Sequence, residues 1–491
     1  MLSGKEFLET LRDGRRVYIG SELVEDVTTH PAFRNAAASF AMIYDRKQAP
    51  EHRALMVCEE DGEEFSTYYL KPRSREDLER RYETHRRIAS WSYGLLGRSP
   101  DNFPSYLAGL ATRPELFNEL HEGFGDNLTR YYQRARRDDL FLTHTVTNPQ
   151  TTRRGGPLAE GTVSPTLRVV SEDDDGVVVN GLKMIGTSAI FCHDAWVGNL
   201  QPVPEGHEDE TITCAIPLNA EGVSIWSRKP YEKFANSEFD MPLSWRFDET
   251  DAAVLFENVK VPWENVFLHN NVEMTRAIYV MTPGHSLANH QANIRFLEKL
   301  KLTVAVAYTV CKANKVDQIP AVQGILGELA AKLAALEGLL MGQLYSCEEM
   351  VPGSGYMTVN RRYMYAALHW CTNHHSEICD TVRELLGGGP IQMPADSSVL
   401  ADPELYPKFE TYWSTPGQSA KDRMKLLRLA WDLLNSEFAG RHAQYEKFYA
   451  GPGFVMDAYS FFNCPWEELE GIVTGLLASY DAETAAGVTH G

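Results

Sequence analysis

Leu167-Arg168-Val169-Val170, Asp173-Asp174-Asp175-Gly176, Val177-Val178-Val179 and Asn180-Gly181 form a continuous passage of β-branched runs and acidic or Gly-containing turns. This is strand-and-turn chemistry. It reads as a meander, and further strand expectations follow at 211–217, 222–227 and 252–261. A β region over about 160–270 therefore interrupts a chain whose two ends read differently.

Outward from that centre the period becomes helical. On the N-terminal side, Ser74-Arg75-Glu76-Asp77 reads as a capping-box start, with Leu78, Tyr82, His85 and Ile88 recurring at three- and four-residue steps until Gly94 and Gly97. On the C-terminal side, Leu326, Leu329, Leu333, Leu336 and Leu340 step along one face, and long helices are expected at 290–313, 359–386 and 417–449. Gly387-Gly388-Gly389-Pro390 to Ser398 is a loop. The division is a mostly helical 1–145, a central β-domain 146–275, and a helical bundle and tail 276–491.

The 491 residues exceed one ordinary core, and 43% hydrophobic with 23% charged residues is a globular composition. A net charge of −20 repels phosphate backbones and anionic lipid, so neither nucleic acid nor membrane is an expected partner. The N-terminal stretch is charged and no apolar run reaches membrane-spanning length, which points to the cytoplasm. The eight cysteines are scattered through apolar stretches and read as reduced, buried thiols.

No P-loop, GxSxG, HExxH or strand-following GxGxxG is present, so no dinucleotide fingerprint for a nicotinamide is visible. Cys371, His375 and Cys379 share a helix face, yet zinc ligands usually come from turns or separate elements, so the helix reads as structural and no metal is expected. Arg98 follows a Gly-punctuated helix end, His144 sits alone in an apolar segment, and Gly186-Thr187-Ser188-Ala189 ends a strand with small and hydroxyl side chains suited to a flat ligand. Spacing alone does not separate a ligand-binding His144 from a core histidine.

Taken together, Asp26 to Asn35, Gly97 to Asp101, Asn148-Pro149-Gln150, Arg246 to Ala252, Val261 to Val266 and Ser436 to His442 resemble the oxygenase component of the 4-hydroxyphenylacetate 3-monooxygenase family, over nearly the whole chain. The resemblance implies an α+β, mainly α, acyl-CoA dehydrogenase-like architecture: N-terminal helices, a central β-barrel or sandwich, and a C-terminal four-helix bundle assembling a tetramer or dimer. It also implies a monooxygenase that takes FADH2 from a separate NAD(P)H:flavin reductase and, with O2, ortho-hydroxylates a phenol, free or carrier-tethered, through a flavin C4a-hydroperoxide.

Carried over by position, Arg98 and His144 bind the phenol, with His144 as acid/base and also near the flavin. Gln150, Thr151, Thr152, Arg153 and Thr187 contact the flavin, and Tyr449-Ala450-Gly451 approaches its phosphates. The family's substrate-contacting tyrosine four residues after the arginine is Asn102 here, which implies a roomier pocket and a larger substrate. His290, one turn before Arg295, is a further catalytic candidate, since related halophenol monooxygenases carry a histidine near this point. Two alternatives share the superfamily: a 4-hydroxybutyryl-CoA dehydratase-like lyase, and an acyl-CoA dehydrogenase-like flavoprotein with a bundle glutamate such as Glu377 as base.

Overall fold

The computed structural model describes residues 1–150, 164–200 and 202–480. Ten strands build two sheets: β1 (Val17–Ile19), β2 (Glu22–Val24), β3 (Leu142–Thr145), β4 (Arg168–Asp173), β5 (Gly176–Thr187), β6 (Asp194–Val197), β7 (Thr213–Pro217), β8 (Val223–Ser227), β9 (Asp251–Pro262) and β10 (Val266–Leu268). One sheet has the order β2-β1-β8-β9-β5-β4, and the other β10-β7-β6-β3. The expected strands are thus present, and the N-terminal segment, expected as helical, also contributes β1 and β2, with β1 parallel to β8.

The turn at Asp173–Gly176 forms as read, with the backbone N–H groups of Asp175 and Gly176 donating to Asp173 Oδ1 (3.0 and 3.2 Å). Asn180-Gly181 does not turn; β5 runs straight through it. Gly181 has φ +132°, and a Cβ there would meet Thr166 O at 2.5 Å, so this glycine permits a close backbone approach within a strand.

The helices that position the site are α1 (Arg75–Trp91), α2 (Asn102–Leu110), α3 (Gly284–Ala313), α4 (Pro320–Tyr345), α5 (Arg361–Leu386), α6 (Ala420–Leu434), α7 (Glu437–Phe448), α8 (Gly453–Phe462) and α9 (Trp466–Leu477). Ser74 caps α1 by accepting from Asp77 N, while Asp77 Oδ2 takes the Arg73 N–H rather than closing a capping box. The expected helix over 417–449 is two, because Ser436 caps a new helix through Ala439 N (3.1 Å). On α4, Leu329, Leu336 and Leu340 are buried while Leu326 and Leu333 are only partly so.

Six cysteines are buried and Cys347 and Cys464 are half-buried; none forms a disulfide. Among the described residues no helix is long and apolar enough to cross a membrane.

Candidate active site

A cavity of about 1610 Å³ opens where β3, the end of β5, the start of β9 and helices α2, α3, α7 and α8 converge. Its walls include Val146, Ile185, Val203, Phe448 and Val455, so it is apolar over much of its surface. Ile185, a β-branched residue, stands at φ +61° where β5 carries an extra residue against β9 between Lys183 and Gly186, which turns its side chain outward (47% exposed).

Arg98, His144, Thr187, Tyr449, Ala450 and Gly451 all line this cavity. Arg98 leaves the turn before α2 with its N–H on Glu249 Oε2 (2.8 Å) and its guanidinium reaching Tyr449 O (3.3 Å) and Asn102 Oδ1 (3.5 Å). Among the described residues no carboxylate ion-pairs with that guanidinium. Gly97 lets the turn close on α7: a Cβ at 97 would lie 2.3 Å from Tyr445 Oη.

His144 stands on β3 with its ring against Phe103 (5.8 Å) and Tyr106 (6.0 Å), and its Nδ1 is buried without a partner among the described residues. Enclosure in the cavity and the Arg98 charge depress its pKa to about 3, so it is a neutral imidazole.

Other expected residues fall elsewhere. Asn102 is outside the lining, 2% exposed behind Arg98, its Nδ2 donating to Gln291 Oε1 (2.7 Å), which ties it to Asp101 and His85. A side chain with two internal partners holds an arginine rather than enlarging a pocket. His290 also misses the cavity: its Nδ1 bonds Gln343 Oε1 (2.6 Å) between α3 and α4, and burial lowers its pKa to about 3. The α3 histidine that faces the cavity is His285, Nδ1 2.9 Å from Tyr365 Oη, with a pKa lowered to about 4 by burial and then Arg276. Five residues are 1.4 helical turns, so the two rings point to different sides.

Gln150 is exposed and not among the lining residues, whereas Thr151, Thr152 and Arg153 lie outside the described residues. Sequence reading missed Tyr106, His285, Arg441 and Tyr445; Arg441 and its partner Asp251 lie in stretches already quoted for the resemblance.

Lys183 on β5 is fully buried and donates to Asn148 Oδ1 (2.7 Å), Gly198 O and Asn199 Oδ1 (both 2.8 Å), fixing the Thr147–Asn148 wall. Burial lowers its pKa to about 7. Tyr445 lies among three guanidinium groups, Arg441 at 4.5 Å, Arg295 at 5.3 Å and Arg98 at 5.8 Å from its ring centre. Its hydroxyl and that of Tyr449 are buried without partners among the described residues.

Glu377 is on the surface, paired with Lys332 (2.8 Å), and does not line the cavity, so it is not placed as a catalytic base. Among the described residues no group of three His, Cys, Asp or Glu side chains is arranged to hold a metal ion.

Residues 3–268 match the family model described as 4-hydroxyphenylacetate 3-hydroxylase N terminal, and residues 275–478 match 4-hydroxyphenylacetate 3-hydroxylase C terminal. The chain is 32% identical over 464 residues to a 4-nitrophenol 2-monooxygenase oxygenase component from a Rhodococcus species, covering 92% of this chain and 86% of the relative. It is 31% identical over 460 residues to the 4-hydroxyphenylacetate 3-monooxygenase oxygenase component of Pseudomonas aeruginosa, covering 91% and 86%. The crystal structure of a 4-hydroxyphenylacetate 3-monooxygenase oxygenase component complexed with FAD and 4-hydroxyphenylacetate has a TM-score of 0.91 at 28% identity, covering 98% of this chain and 99% of that one.

Proposed function

Because the chain belongs to the 4-hydroxyphenylacetate 3-hydroxylase family, we propose that it is the oxygenase component of a two-component system, hydroxylating a phenol ortho to its hydroxyl with reduced FAD and O2. The observation that carries the reading is the pairing of an Arg98 guanidinium, free of any carboxylate among the described residues, with a neutral His144 in one largely apolar cavity.

The residues present fit a flavin. The cavity exceeds the roughly 300–1,000 Å³ typical of a single small ligand, and Tyr445 on α7 and Tyr449 just after it line the wall with buried hydroxyls that have no partner among the described residues. Thr187, Tyr449, Ala450 and Gly451 would hold the cofactor, with Gly451 at φ +99° turning the backbone along the cavity. Bound reduced FAD supplies the electrons that reduce O2, one oxygen atom going to the ring and the other to water.

The protein's own part is to bind, orient and exclude. Arg98 faces the phenol oxygen and favours its ionised form, while neutral His144 bonds that oxygen and sets the ring's tilt. Phe448, Val455 and Tyr459 keep water from the reacting atoms.

We also assign two partners. A separate NAD(P)H:flavin reductase supplies FADH2, a reading supported by the missing dinucleotide fingerprint. A second copy of the chain covers the apolar faces left open on α8 and α9, where Phe462 is 77%, Ile472 64% and Leu476 63% exposed.

The test is to incubate the protein with chemically reduced FAD, O2 and a panel of phenols, free and carrier-tethered, and to look for one added oxygen by mass. Hydroxylation with FADH2, and no NADH oxidation by the protein alone, is expected. Vigorous NADH oxidation without a reductase would remove the two-component reading.

A further inference from the structure

We propose that Arg441 is a positioning residue that locks the substrate end and the flavin end of the site into one geometry. The inference rests on the flavin-hydroxylase reading and concerns two stretches, Arg246–Ala252 and Ser436–His442, that the chemistry so far leaves without a task.

Arg441 leaves α7 nearly buried and spends its planar fork on two carboxylates of one short turn. Its Nε and Nη2 donate to Asp251 Oδ2 (2.8 Å) and Oδ1 (2.6 Å), and its Nη1 donates to Glu249 Oε1 (2.7 Å). Each carboxylate then reaches a different part of the cavity. Glu249 accepts the Arg98 N–H on its other oxygen at 2.8 Å, and Asp251 accepts the Thr187 hydroxyl at 2.7 Å. One guanidinium therefore fixes the backbone carrying the substrate arginine and the strand end carrying the flavin-side threonine. A lysine in its place has no fork and meets one carboxylate well at most.

The turn between the carboxylates is built for this. Thr250, β-branched, stands at φ +42°, a sparsely populated conformation that brings Glu249 and Asp251 to the same side. Arg228 completes the arrangement by donating to Asp251 Oδ2 (3.0 Å) and Asp248 Oδ1 (2.6 Å). Arg441 follows Glu249 and Asp251 by 192 and 190 positions, and it meets them because α7 lies beside the start of β9.

Three near-isosteric variants separate the arms: Glu249→Gln, Asp251→Asn and Arg441→Lys. For each, the measurements are the dissociation constant for reduced FAD by anaerobic titration, KM for the phenol, product formed per FADH2 consumed, and the thermal midpoint without flavin. Losing one hydrogen bond to a charged group corresponds to roughly 10–150-fold. Glu249→Gln is expected to raise phenol KM by roughly tenfold or more and to lower product per FADH2, with flavin affinity little changed. Asp251→Asn is expected to weaken reduced FAD by a similar factor, and Arg441→Lys to do both while remaining folded.

Equal shifts of flavin affinity and phenol KM in the two carboxylate variants, or a folded Arg441→Lys with both unchanged, overturn the inference. Should Arg441→Lys not fold, the two carboxylate variants decide alone by the same criterion. A parent protein that binds no reduced flavin overturns the functional reading and this inference with it, whereas a flavin-binding parent with unsplit variants overturns this inference alone.

Discussion

Replacing His144 by alanine separates a hydrogen-bonding histidine from a general base, and the structure puts a size on the difference. A phenol has a pKa of about 10, and His144 in its enclosure beside Arg98 has one of about 3. Full proton transfer between them spans about 7 units, near 9.5 kcal/mol at about 1.36 kcal/mol per unit. Transfer to His144 is strongly uphill on these values, so the proposed role is a single hydrogen bond with His144, the phenol proton leaving by another route. Removing a hydrogen bond to a charged oxygen costs about 1.5–3 kcal/mol, or roughly 10–150-fold in kcat/KM. A general base removed costs on the order of 10²–10⁴ and leaves a changed pH profile. The assay is product per FADH2 consumed, with peroxide as the uncoupled product, across pH 6–9. His144→Ala is expected to lose 10–150-fold, to release more peroxide, and to keep the parent's pH profile and flavin affinity. A loss above about 10³ with an acid limb that disappears in the variant would falsify the hydrogen-bond role; an unchanged product yield makes His144 a core histidine.

Three further outcomes follow from the same geometry. Gly97→Ala places a methyl 2.3 Å from Tyr445 Oη, and overpacking of that kind costs about 1–3 kcal/mol; chemical denaturation should show it together with a higher phenol KM, and an unaltered midpoint would mean the turn has slack. Burial depresses His144, His285 and His290 to between about 3 and 4. Below the unfolded value near 6.5 the unfolded chain takes up more protons than the native one, so stability present above that pH is lost as pH falls, by up to about 1.4 kcal/mol per unit for each ring. Urea midpoints that fail to drop between pH 7 and pH 5 contradict this. Lys183→Met strips donors from Asn148, Gly198 and Asn199, and orphaned buried acceptors cost about 1–3 kcal/mol; the check is the unfolding midpoint, and weaker binding of reduced FAD should accompany its fall.

The three-part order of helices, sheets and helices was legible because each part carries its own period, and Asp173–Gly176 was legible as a turn because the aspartate can cap it locally. Asn180-Gly181 misled for the opposite reason. Its glycine answers the segment leading into β4, Thr166–Leu167, whose approach no local pattern encodes. The resemblance points to a histidine near His290, and position in the chain does not show that His285, five residues earlier, is the one on the cavity side of α3. Asn102 was read as pocket lining because a tyrosine's place implies contact, yet Gln291, 189 positions away, claims its amide. Arg441, Glu249 and Asp251 were inside quoted stretches, but their meeting is a property of helix-on-strand packing.

Burial and the Arg98 charge act together on His144 but against each other on a phenol. Asp248, Glu249 and Asp251 are taken by Arg228, Arg441 and the Arg98 backbone, so their charge is spent on holding the site together. Burial raises the Asp251 pKa, but Arg441 and Arg228 outweigh it and hold the carboxyl well below the ordinary range, so it remains an acceptor at any working pH. Among the charged side chains that line the cavity, the Arg98 guanidinium has no carboxylate ion pair among the described residues. In such a space burial and the arginine charge both oppose a protonated imidazole, whereas for a phenol burial opposes ionisation, as it does at Tyr445 and Tyr106, and the arginine charge favours it. His144 is therefore held neutral, and the proposed role leaves ionisation of the phenol to the Arg98 charge rather than to the histidine. On this proposal Arg98 supplies the charge that acts on the ring, while Arg441, through Glu249, sets where that charge is applied.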